Sequence, residues 1–372
     1  MTQASSATAN NTTKSTATTA TDNGNGANKS STNTTFDLDQ AIPIDNIPTY
    51  EMRLRELPEN EVLPLIYGIF IEKDGKLERL TTYTFKSEII DKTNLETTAV
   101  WENEVMRRAD RQAGQNMSSH INKIAKMLAS CIDTIGGYPL REVVQMAIGL
   151  NRKDAKTLFE SMYQDDVLAM LLSFRTLYNN TFAYSVNEQE CNCRKKTITD
   201  DSPESLHSIQ DLTIRYLNIS LQQPPIFKVI VTPFTDSRGK SKIDTVYLSP
   251  LKLYHYGLIE SQNQRDDSIV IRQLQLCVVG MPQSEMNGDN LPGRIFDASL
   301  WEKCMTSDTR TDLEYGIRAI SDGQKIGIMP MLEIDCPYCF EPKPITVFIN
   351  WILLADLILS SHRPRSVKKV GR

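Results

Sequence analysis

One pattern occurs twice in this chain, and it constrains the fold more than any other feature. Leu172-Ser173-Phe174-Arg175-Thr176-Leu177 has helical apolar spacing, and Asn179-Asn180 breaks it. Phe182-Ala183-Tyr184-Ser185-Val186 then alternates like a strand and leads into Cys191-Asn192-Cys193. Ile317-Arg318-Ala319-Ile320 ends a second such helix, Gly323 breaks it, and the apolar run Ile326 to Ile334 enters Cys336-Pro337-Tyr338-Cys339. Cys193 follows Arg175, and Cys336 follows Arg318, by the same 18 residues. A shared order at a shared distance reads as an internal duplication. The expected fold is therefore α+β, in two tandem divergent modules.

The upstream sequence repeats as well. Leu65 to Ile71 is β-rich, Asp74-Gly75 is a favoured tight-turn pair, and Leu77 to Thr84 reads as the return strand. Ile226 to Val231 and Thr245 to Leu248 flank Arg238-Gly239-Lys240 in the same way. Ile121, Ile124, Met127, Leu128 and Cys131 fall on one helix face, and Gly136-Gly137 is expected to end that helix. Ile269, Ile271, Leu274 and Cys277, with Gly280 after them, mirror it. Further helices are expected from Asn151, as N-cap, to Met162, over Asp165 to Tyr178, and over Leu300 to Ile320. Each module is thus a β-hairpin, a few helices and a terminal cysteine-bearing hairpin of zinc-ribbon type. The first copy is expected to carry an insertion between Glu88 and Met117.

Residues 1–35 are almost entirely Thr, Ser, Asn, Ala and Gly, too little apolar surface to offset chain entropy, so a disordered tail is expected there. The first module is assigned to 36–211, the second to 212–347, and a C-terminal helix with a basic tail to 348–372. That tail, Arg363 to Arg372, holds five basic residues and no acidic one. A net charge of -5 lacks the basic excess of a general nucleic-acid binder. Ile345 to Leu359 is the longest apolar run, and Asn350 and Asp356 interrupt it. Spanning a bilayer takes about 20 predominantly apolar residues, so no membrane span is expected. The odd number of cysteines, seven, and their uneven spacing suit a reducing compartment.

Cys336 and Cys339 have the spacing by which a tight turn offers two thiolates to one tetrahedral ion. A closed structural site needs four ligands. If the hairpins of the two modules meet, Cys191, Cys193, Cys336 and Cys339 complete one structural zinc site; otherwise they are relic or packing residues. Thiol redox chemistry favours a strand-to-helix junction that lowers the thiol pKa, and these pairs lie in hairpin-like segments. Cys131 and Cys277 are expected in the apolar core. His120, His207, His255 and His362 stand apart in sequence, so no paired-histidine metal motif arises. Arg238-Gly239-Lys240-Ser241 resembles the end of a phosphate-binding loop, but Phe234 stands where that motif requires its first glycine. With no nucleophile elbow and no dinucleotide fingerprint, no catalytic residue, cofactor-binding residue or small-molecule substrate is assigned, and a non-enzyme is expected.

An apolar-Arg-x-apolar helix end, a strand and a Cys-Pro-x-Cys hairpin together resemble the baseplate hub subunits and hub-assembly proteins of T4-like contractile-tailed bacteriophages. This chain departs from them in three places. Cys191-Asn192-Cys193 is one residue tighter, Phe340 stands where glycine is usual, and the second copy lacks the tyrosine before its break. The resemblance implies a structural or chaperone-like assembly protein of the virion or the infected host cytoplasm. Its partners would be other tail and baseplate proteins. A zinc-ribbon adaptor binding nucleic acid and a thiol oxidoreductase are the alternatives, the first opposed by the acidic balance.

Overall fold

The computed structural model describes residues 37–47, 55–56, 62–87, 117–177, 181–183, 206–217, 219–235, 242–260, 266–281, 296, 298–321, 326–335 and 344–349. All of them belong to one compact unit, Phe36–Arg372. The expected tail at 1–35, the expected insertion, both cysteine pairs and the basic tail lie outside the described residues.

The first strands among the described residues are two short ones, β1 (Ile42–Pro43) and β2 (Arg55–Glu56). Then comes the expected hairpin of β3 (Ile69–Lys73) and β4 (Lys76–Leu80). Asp74 and Gly75 both take left-handed φ, 52° and 71°, the conformation a two-residue hairpin turn requires. Pairing starts at Ile69 rather than Leu65, because the backbone N–H groups of Ile66, Tyr67 and Gly68 donate to a side chain. After β5 (Tyr83–Phe85), α1 (Met117–Cys131) buries the predicted face of Ile121, Ile124, Met127, Leu128 and Cys131.

That helix stops earlier than expected. Residues after Cys131 extend as β6 (Ile132–Ile135), and Gly136 and Gly137, at φ 61° and 81°, turn it back into β7 (Tyr138–Pro139). Two short helices follow, α2 (Leu140–Met146) and α3 (Ala155–Glu160). Asp154, not Asn151, caps α3, its carboxylate accepting the Thr157 N–H at 2.8 Å. The long helix α4 (Gln164–Leu177) is buried at every residue from Asp165 to Leu177. Beyond it come β8 (Thr181–Ala183), β9 (Leu206–Ser208) and β10 (Thr213–Leu217).

The second half starts with β11 (Phe227–Thr235) and β12 (Lys242–Leu248), followed by α5 (Leu253–Glu260), α6 (Asp266–Cys277) and β13 (Val278–Gly280). The expected helix over Leu300 to Ile320 is two helices, α7 (Ala298–Lys303) and α8 (Ser307–Ser321). β14 (Gly327–Asp335) and β15 (Pro344–Phe348) complete the described chain.

Two four-stranded sheets have the orders β1-β11-β12-β13 and β15-β14-β10-β2. The fold is α+β, and described strands from either side of residue 211 share both of these sheets. β1 from the first half pairs in parallel with β11, and β2 pairs with β10, which in turn pairs with β14. Buried side chains from both halves form one continuous core.

Candidate functional site

Some contacts of the first half have parallels in the second. Phe70 pairs with Arg79 in the first hairpin, and Phe234 pairs with Ile243 in the second. The Lys86 N–H donates to the Cys131 carbonyl at 2.9 Å, and the Ser249 N–H donates to the Cys277 carbonyl at 2.8 Å. Aligning Arg175 with Arg318 sets Asp166 against Thr309, Leu172 against Tyr315 and Ser173 against Gly316. Aligning Gly75 with Gly239 sets Ile66 against Ile230 and Gly68 against Thr232. The structure ties these same positions together in each half. The Asp166 carboxylate accepts the Gly68 N–H at 3.0 Å, and the Thr309 hydroxyl donates to the Thr232 carbonyl at 2.9 Å.

In the first half the tie is a charged clamp. The Asp166 carboxylate also accepts the N–H groups of Ile66 at 2.6 Å and Tyr67 at 2.9 Å. Gly68 has φ 79°, and a Cβ added there would lie 2.7 Å from the Leu80 carbonyl oxygen. On the carbonyl side of the same segment lies Arg79. Its Nε donates to Tyr67 at 2.8 Å, its Nη1 to Ile219 at 2.9 Å and its Nη2 to Ile66. Burial pushes the Asp166 carboxyl up to about 7, against the three N–H donors and the Arg79 charge, which favour its ionised form. Ser173 Oγ accepts from the Leu63 N–H at 2.8 Å and from the Tyr83 hydroxyl at 2.9 Å. The Tyr67 hydroxyl reaches the Ile320 carbonyl of α8 at 3.1 Å, joining this clamp to the other half.

The second half is built differently at the matching place. The Asp312 carboxylate accepts the Thr232 N–H at 2.7 Å and the Thr232 hydroxyl at 2.8 Å. Asp312 and Tyr315 of α8, Val229 and Ile230 of β11, and Ile44 and Asp45 just after β1 line a notch of about 190 Å³. β1 covers β11 only at Phe227 and Lys228, so the notch opens where that pairing stops. Ile230 is 63% exposed and Tyr315 44%, whereas their first-half counterparts Ile66 and Leu172 are both 0% exposed. The aligned positions are thus buried in one half and partly exposed in the other.

Other chemically notable groups are tied up. His255 is buried, and its Nδ1 accepts the Lys252 N–H at 3.1 Å. Burial, helped by Lys252 and Arg272, lowers its pKa to about 3, which keeps the ring neutral. Cys131 and Cys277 are fully buried as expected; burial raises both thiols, Cys277 to about 12, so neither is a thiolate near neutral pH. A wider cleft of about 430 Å³ lies beside α2 and α3, lined by the charged residues Lys86, Asp133, Arg141, Lys153 and Asp154 together with apolar side chains. Lys153 there already donates to the Ala147 carbonyl at 2.6 Å.

Among the described residues no group of three or more His, Cys, Asp or Glu could hold a metal ion. Cys191, Cys193, Cys336 and Cys339 are outside them. The strands that flank the two pairs are described: β8 pairs antiparallel with β9, and β14 with β15. Each cysteine pair therefore falls in the connection between two strands of one ladder. No helix among the described residues is long and apolar enough to cross a membrane. Sequence reasoning missed Asp166 and Arg79; the visible signal was Asp165-Asp166 just ahead of the apolar run Val167 to Leu172. Comparison of the chain with protein-family models, with curated proteins and with solved structures finds no significant match in any of the three.

Proposed function

We propose that this chain is a non-enzymatic structural or assembly protein of a contractile phage tail, acting in the virion or the infected host cytoplasm by binding neighbouring tail subunits. The observation that carries the reading is the unequal pair of matching surfaces. A repeated pattern whose first copy is sealed by its own chain, while the second leaves Ile230 largely exposed, suits a protein that uses one face for folding and the other for a partner. The helix-end and cysteine-hairpin resemblance supplies the tail context. A structural zinc shared by Cys191, Cys193, Cys336 and Cys339 belongs to the same reading, since connections within antiparallel ladders suit paired thiolates.

Mass spectrometry of purified particles and of tail-assembly intermediates tests the assignment. The chain is expected in at least one of them, and its absence from both would sink the tail reading. Metal analysis of the reduced recombinant chain tests the zinc, for which about one equivalent is expected. Less than about half an equivalent under metal-replete conditions would rule out the shared site.

A further inference from the structure

We propose that the cleft beside α2 and α3 binds a small monocarboxylate with an apolar body. The site goes beyond the function proposed above and does not rest on it, since the cleft and the notch share no lining residue.

The charges set the sign of the ligand. Lys86, Arg141 and Lys153 line the cleft as cations against the carboxylates of Asp133 and Asp154, which leaves one positive charge in excess on a chain whose net charge is -5. Among the described residues no ion pair joins any of these cations to either carboxylate. Asp154 is already occupied, one oxygen accepting the Thr157 N–H at 2.8 Å and the other the Thr157 hydroxyl at 2.9 Å. Lys153 gives one N–H to the Ala147 carbonyl at 2.6 Å and has further donors to offer. Arg141 is exposed, and its planar fork can pair with a carboxylate through two parallel bonds. A monoanion balances the excess charge. A phosphate monoester dianion overshoots it and is repelled by Asp133, and an ammonium ligand meets three like charges.

The walls set its body. Ile132 and Val144 are buried, and with Pro139 and Leu140 they give the cleft apolar surface. Its volume of about 430 Å³ falls within the roughly 300–1,000 Å³ of small-molecule sites. The fold holds these walls in place without a ligand. Phe85 pairs with Ile132, and the Lys86 N–H donates to the Cys131 carbonyl at 2.9 Å, which sets β5 against β6. Ala147 bridges to Ile71, and the Ile148 N–H donates to the Phe70 carbonyl at 3.1 Å, which pins the end of α2 to the first hairpin. Binding therefore has little of the protein to order.

The test uses the full chain with methyl-labelled isoleucine, leucine and valine, because Ile132, Leu140 and Val144 all line the cleft. The probe is 4-phenylbutyrate, with 4-phenylbutanol, 4-phenylbutylamine and 3-phenylpropyl phosphate as controls. Saturable shifts of the Ile132, Leu140 and Val144 methyls are expected with the carboxylate, with affinity about tenfold weaker for the alcohol and reduced by added salt. Arg141→Gln is expected to weaken carboxylate binding several-fold, and Asp133→Asn to strengthen it. Both residues are exposed, so neither change should move the unfolding temperature. Lys153→Gln also removes the tie to Ala147, so the Arg141 and Asp133 variants decide the matter. Equal binding of the alcohol or the amine, or tighter binding of the phosphate, would overturn the proposal. So would carboxylate binding that Asp133→Asn weakens or leaves unchanged, shifts confined to methyls elsewhere, or no saturable shift with the carboxylate.

Discussion

Burial of two titratable groups is expected to give this protein opposing pH responses. Asp166 has a folded pKa of about 7, above the roughly 3.9 of an unfolded aspartate, so the folded chain holds its proton more tightly. Its contribution to stability is fully present below about pH 4 and is lost as pH rises through about 7. His255, at about 3 when folded against roughly 6.5 when unfolded, behaves the other way. Its contribution is present above about pH 6.5 and is lost as pH falls toward 3. Urea unfolding across this range should show that Asp166→Asn removes a decline in stability from pH 4 to 7, and that His255→Gln removes a loss on acidification. Unchanged slopes in both variants would contradict these environments. Truncation is harsher: Asp166→Ala strips the acceptor from three buried N–H groups, and a loss of about 3 kcal/mol is expected in the same assay. The sequence could not announce this clamp, because Asp166 and Arg79 are far apart in the chain and meet only across the folded hairpin.

At the scale of elements, two long helices whose arginines align in sequence sit in different environments. α4 is enclosed on all sides, so Arg175 is buried, whereas the matching Arg318 of α8 is exposed and lies 3.9 Å from Glu314 one turn earlier. Ser173 uses its hydroxyl to hold Leu63, while Gly316 at the matching place lets α8 approach β11 so closely that a Cβ would lie 2.9 Å from the Val229 side chain. Gly316→Val is therefore expected to cost about 2 kcal/mol by overpacking, measured by chemical unfolding; a neutral result would mean that α8 can back away from the sheet. Gly68→Ala should cost at least as much, about 2 kcal/mol or more, since the new side chain meets both an adverse φ and the Leu80 carbonyl. Periodicity made α1, α4 and the β3–β4 hairpin legible, because each has an apolar face or a turn pair whose chemistry is local. It misassigned Gly136-Gly137, since paired glycines end helices and turn hairpins alike. It also missed α2 and α5, short helices held mainly by tertiary packing.

Over the whole molecule, strands from the two halves share both large sheets, so the halves cannot open independently. A single cooperative unfolding transition is expected for the described unit, and 36–211 and 212–372 expressed separately should fail to give dispersed amide spectra. Two separate transitions, or a folded half, would show that the interlock is weaker than the shared core implies. The repeated helix end and cysteine spacing around Arg175 and Arg318 are legible as a pattern of the sequence. What stayed hidden was the exchange of β1 and β2 into the other half's sheets, which depends on strands of two residues that carry almost no periodic signal. The open second-half surface was equally hidden, because exposure follows from which segments cover α4 and α8. The most direct measurement is carbodiimide cross-linking of carboxylates to amines in isolated tails, followed by peptide mass spectrometry. Peptides carrying Asp45 or Asp312 are expected to be joined to lysines of neighbouring tail subunits. Cross-links from both residues only to this chain itself, in tails that contain it, would contradict a role in binding those neighbours through this face.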